Sequence, residues 1–99
     1  MASILTLPPA DRPRERLRAL GPQALTSVEL LALLIGTGGA SHSSADAAQQ
    51  ILHRAGGSLR RLSQLPVATL TALHGLGEVK ALAVHAALEL GRRLAAEAA

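Results

Sequence analysis

No phenylalanine, tyrosine or tryptophan occurs in this 99-residue chain, and no cysteine. The first absence removes the ring platforms on which single-strand binders and RNA-recognition sheets stack bases. Any nucleic acid held here must be held by backbone donors and cations, which means by its phosphates. The second absence rules out a disulfide framework and a thiolate metal site. Lysine is scarce as well: Lys80 stands alone beside nine arginines. No apolar run reaches the roughly eighteen residues of a membrane-spanning helix, and the start lacks the basic and apolar segments of a signal peptide. The expectation is a soluble, cytoplasmic protein with no membrane partner.

Catalytic groups are thin. The seven carboxylates are scattered, mostly at helix starts or exposed positions, so no acidic pair supports general acid–base work. His42, His53, His74 and His85 have no spacing that gathers three ligands around one zinc. Ser41, Ser43 and Ser44 read as loop and cap residues. The sequence predicts no enzyme, cofactor, metal or small-molecule substrate.

What is present is helical punctuation. The length suits one domain, and the net charge of +3 permits a polyanionic partner without demanding one. Residues 1–10 form an extended lead in which Ile4, Leu5 and Leu7 are placed to dock on a core. Pro13 fits the first position of a helix that Gly21-Pro22 stops. Its run Arg12, Arg14, Arg16 and Arg18 is a solvated face paired locally to Asp11 and Glu15, or a DNA contact. Thr26 and Glu29 form a capping box, flanked by Leu25 and Leu30 as a hydrophobic staple. The helix that follows is apolar nearly all round through Ile35, which predicts a central place in the core.

That helix ends at Gly36-Thr37-Gly38, and a third helix, near residues 44–55 and capped by Ser43 or Ser44, is closed by Gly56-Gly57. Ser58 to Leu62 forms a connecting turn or short helix. A fourth segment opens at Leu65-Pro66, with Pro66 near its first position. Beyond it, Val79, Leu82, Ala83, Ala86, Leu90 and Leu94 recur at helical spacing and predict the buried face of a last helix. Residues 95–99 are expected to fray.

The informative stretch lies between these two segments. Leu70, Leu73 and Leu76 frame the turn Gly75-Leu76-Gly77, and a helix starts near Glu78. This is the layout of a helix-hairpin-helix: two glycines that bare the backbone, an apolar plug between them, and a helix N-terminus whose free N–H groups attract phosphate. Lys80 adds positive charge in the first turn, while Glu78 opposes an anion. Gly36-Thr37-Gly38 echoes the same turn without the apolar plug. The fold expected is all-α: a compact bundle of five to six short helices within residues 11–99, with a degenerate hairpin near 26–55 and the main hairpin at 66–94.

Leu7-Pro8, the string Asp11-Arg12-Pro13-Arg14-Glu15-Arg16-Leu17, Glu29-Leu30-Leu31-Ala32 running into Gly36-Thr37-Gly38, Gly75-Leu76-Gly77 with Lys80-Ala81, and Ala87 to Arg93 together resemble the N-terminal region of the bacterial RadC family. The resemblance covers essentially the whole chain. It implies a helix-hairpin-helix module, in a SAM-like or RuvA-C-terminal-like arrangement, from a family associated with DNA repair. That family's C-terminal JAB/MPN-type domain carries a zinc-binding His-x-His, which occurs nowhere in this sequence, so no metallohydrolase activity carries over.

Two readings stand at this point. One is a non-sequence-specific module that grips double-stranded or branched DNA through Gly75, Leu76, Gly77 and Lys80, with Arg60 and Arg61 reaching a neighbouring phosphate. The other is a protein-interaction or targeting module for a metalloprotease-like C-terminal domain or another repair protein. Arginines gathered on one face with the hairpin favour DNA; arginines dispersed and paired to Glu15, Glu29 and Glu89 favour interaction.

Overall fold

The computed structural model describes residues 12–36, 43–73 and 76–97. Every regular element among them is helical: α1 (Pro13–Leu20), α2 (Ser27–Ile35), α3 (Ser43–Arg54), α4 (Leu59–Gln64), α5 (Val67–Thr71) and α6 (Gly77–Ala96), with one 3-10 turn at Pro22–Ala24. The all-α expectation holds. The extended lead at residues 1–10 lies outside the described residues.

Local chemistry accounts for most boundaries. Pro13 opens α1, and Gly21 at φ 91° closes it. Both halves of the Thr26–Glu29 box form: the Glu29 N–H donates to Thr26 Oγ1 at 3.1 Å, and the Thr26 N–H donates to Glu29 Oε1 at 2.9 Å. After α3, Gly56 (φ +66°) donates to the His53 carbonyl and Gly57 (φ +82°) to the Leu52 carbonyl, both at 2.9 Å. That is a Schellman closure, and it needs the left-handed backbone that glycine supplies. The Ser58–Leu62 connector is a helix, its Ser58 Oγ accepting from the Arg61 N–H at 3.1 Å. Pro66 is the N-cap of α5 and not its first helical residue. At the other end α6 stays helical through Ala96, past the point where fraying was expected, because Glu97 N–H still finds the Arg93 carbonyl at 3.1 Å.

The core forms where α2 packs on α3 and α6, with α5 against α6 and α4 beneath α3 and α6. Leu31, Ala32 and Ile35 meet Ala47, Ala48 and Ile51, and Leu62, Leu70, Leu76, Ala81 and Val84 complete the cluster. The alanines on α3 and α6 let the helix axes come close without leaving voids. The central place expected of α2 holds, since it packs on α3, α6 and α1. Its staple does not close as expected: Leu30 is exposed, as is Leu34, so only Leu25 of the staple pair is in the core.

The larger correction concerns α6. The face set by Val79, Leu82, Ala83, Ala86, Leu90 and Leu94 points to solvent, and Ala81, Val84 and Leu88 point inward. Both sets recur at helical spacing, so periodicity alone supports either. The hairpin decides between them, because Leu76 is buried and fixes which side of the next turn faces the core.

Candidate nucleic-acid interface

The hairpin is built from α5, the turn and the start of α6. Leu70 is fully buried at the end of α5, and Leu76, at 3% exposure, plugs the turn into the core as expected. The Leu76 N–H donates to the Leu73 carbonyl at 3.3 Å and tightens the turn. Gly77 then adopts φ +71°, and a Cβ built on it would meet nothing within 4 Å. The space over this residue is open, and only the backbone conformation calls for glycine there. No side chain caps the start of α6. Its first-turn N–H groups have no acceptor within the helix, and the positive end of a 20-residue helix dipole lies behind them. Gly75 and His74 lie outside the described residues.

Lys80 is not simply a free charge beside this turn. Its Nζ donates to the carbonyl oxygen of Ile35, the last residue of α2, 45 positions earlier in the chain. It caps another helix from outside, at the end where a cation meets the negative pole of the dipole. The bond joins the start of α6 to the end of α2, which leads into the second glycine turn. Of that turn only Gly36 is described: a Cβ there would stand 2.9 Å from the Ala32 carbonyl oxygen, so the close approach requires glycine.

Arg60 and Arg61 are exposed on α4, which packs against α6, and neither side chain has an ion-pair partner among the described residues. Arg16 lies elsewhere. Its guanidinium pairs with Glu29 Oε2 and also donates to the Ala24 carbonyl. Among the described residues its carboxylate partner is thus Glu29 and not the nearby Glu15, and Asp11 lies outside the described residues: Glu29 caps α2 with one oxygen and anchors α1 with the other. At the far end of α6, Arg92 and Arg93 both bind Glu89, each at 2.8 Å. Hydrogen bonds from Arg92 and then Arg93 hold that carboxyl down at about 2, against an ordinary 4.5. The expected carboxylate pairing of arginines thus occurs at Glu29 and Glu89, and Arg60 and Arg61 stay outside it. The sequence offered Glu29 as a partner for an arginine without saying which, and nothing in it marked the Lys80–Ile35 bond, which links residues 45 positions apart.

Among the described residues no group of histidines and carboxylates is placed to hold a metal ion, and no helix is long and apolar enough to cross a membrane. A small helical module with a glycine hairpin is the class these features define. Residues 4–82 match the family model described as UPF0758 N-terminal. The chain belongs to the UPF0758 family, which is the RadC family. It is 46% identical to the UPF0758 protein of Symbiobacterium thermophilum over 95% of this chain and 43% of that protein. The Bordetella petrii relative is 48% identical over 92% of this chain and 40% of its own length, and that of Geobacillus thermodenitrificans 45% over the same shares. The chain therefore spans about two-fifths of these relatives. No solved structure matches it.

Proposed function

We propose that this chain is a DNA-binding module of a RadC-type repair protein, which grips backbone phosphate without reading sequence. The observation that carries the reading is the uncapped start of α6 behind Gly77, with open space over the glycine and Leu76 locked in the core. A phosphate oxygen there accepts from first-turn N–H groups and meets the positive end of the helix. Arg60 and Arg61 supply exposed charge from α4 for a neighbouring phosphate. Lys80 serves mainly by fixing the turn against α2.

Fluorescence anisotropy of labelled duplex and branched DNA across a salt series tests this. With about four phosphates neutralised, affinity falls about 150-fold between 50 and 200 mM salt. Arg60→Glu with Arg61→Glu weakens binding on every sequence alike. No binding at 50 mM salt overturns the reading.

The second reading is a protein-interaction module. It is favoured by the exposed apolar face of α6 and by the carboxylate partners that occupy Arg16, Arg92 and Arg93. Saturable, salt-insensitive binding to the remainder of a full-length relative, with DNA ignored, supports it.

A further inference from the structure

Helix α6 carries two apolar faces, and only one is used by the fold. The unused face holds Val79 at 80% exposure, Leu82 at 50%, Leu90 at 67% and Leu94 at 72%, with Ala83 and Ala86 exposed between them. At 100° per residue these six side chains share one stripe, roughly 22 Å long. Isolated exposed leucines need no explanation, but a continuous stripe on one helix marks a contact surface.

We infer that this stripe binds a second copy of the chain, α6 against α6 in antiparallel fashion about a two-fold axis at Ala86. The stripe is complementary to itself. Turned end for end about Ala86, Val79 meets Leu94 of the other copy, Leu82 and Ala83 meet Leu90, and Ala86 meets Ala86. The small residue thus stands at the axis, where the helices must come closest, and the large ones lie where they diverge. One charge pair follows the same symmetry: Glu78 stands exposed at one end of the stripe and Arg93 at the other, with Arg92 and Arg93 sharing Glu89. Arg93 gives only its Nε to Glu89 among the described residues, so its Nη groups are available to the opposing Glu78. A parallel pairing loses this match, and an unrelated partner gives no reason for symmetry about one alanine.

The stripe covers on the order of 500 Å² per copy, so a dimer buries about 1,000 Å², at the lower edge of specific interfaces. The expected association is weak, with a dissociation constant on the order of 100 µM. It does not depend on the DNA-binding reading and is measured without nucleic acid.

The absence of cysteine makes the test direct. Sedimentation equilibrium from about 10 µM to about 1 mM shows a monomer–dimer equilibrium, and Leu90→Glu shifts it to monomer with unchanged helicity. Ala86→Cys oxidises to a disulfide dimer on its own. Val79→Cys does so only when mixed with Leu94→Cys, and Gln50→Cys on α3 serves as the control off the stripe. A chain monomeric at about 1 mM, with Ala86→Cys no faster than Gln50→Cys, overturns the proposal and assigns the face to another part of the longer relatives. Disulfide formation by Val79→Cys alone overturns the antiparallel arrangement.

Discussion

Lys80 is placed to do two things, and its substitutions separate them. Lys80→Met removes a charge-assisted bond to the Ile35 carbonyl and leaves that oxygen part-buried, so a loss of about 1–2 kcal/mol is expected in denaturant unfolding. If Lys80 also contacts phosphate, the variant binds DNA more weakly at temperatures where it is still fully folded. His85 offers the opposite case. Its Nε2 is sealed from solvent with no hydrogen-bond partner among the described residues. His85→Leu is expected to raise stability by about 1 kcal/mol, visible as a higher melting temperature, because an unmet polar atom is removed at similar volume. Glu78 stands exposed beside the hairpin, where its carboxylate would repel the phosphate proposed to bind there. On the two proposals, Glu78→Gln is expected to tighten DNA binding about two- to fivefold at 50 mM salt, as one exposed charge would, and to weaken self-association. The opposite signs distinguish the two sites.

At the scale of the element, the start of α2 depends on one carboxylate with two tasks. Thr26→Ala removes one capping bond and costs about 1 kcal/mol. Glu29→Ala removes the other and also releases Arg16 of α1 from α2, so it is expected to cost more than Thr26→Ala in the same urea series. The end of α6 has its own pH dependence. Because the folded Glu89 titrates at about 2 instead of 4.5, the pair with Arg92 and Arg93 contributes in full above pH 4.5. Its contribution fades as pH falls toward 2. A carboxyl titration by NMR is expected to place the Glu89 midpoint near 2, rising in high salt because the groups are exposed.

For the whole molecule, the core is small and rich in alanine, and it is closed by a few large side chains: Ile51, Leu62, Leu70 and Val84. Ile51→Ala is expected to cost about 2–5 kcal/mol, enough to unfold a domain of this size, and circular dichroism checks it. Alanine-rich packing leaves little margin, which is why the contacts that tie distant elements, Arg16 to Glu29 and Lys80 to Ile35, matter beyond their individual strength. Family membership places this bundle within a longer type of protein, of which the chain spans about two-fifths. The faces it leaves open, the hairpin mouth and the α6 stripe, are where the rest of function is to be sought.

The sequence by itself determined the helices and most of their ends. Pro13, the Thr26–Glu29 box, Gly56-Gly57, Ser58 and the plug of Leu76 act within a turn or two of chain, and local sterics and hydrogen bonds suffice to read them. It also determined the family, through short strings whose residue types are specific. Tertiary structure alone decided which apolar face of α6 is buried, since Val79–Leu82–Ala86–Leu90 and Ala81–Val84–Leu88 are equally periodic. It alone decided that Arg16 serves Glu29 and that Lys80 reaches across 45 residues to α2. Those choices are made by which surfaces meet when the helices pack, and no period or cap along the chain encodes them.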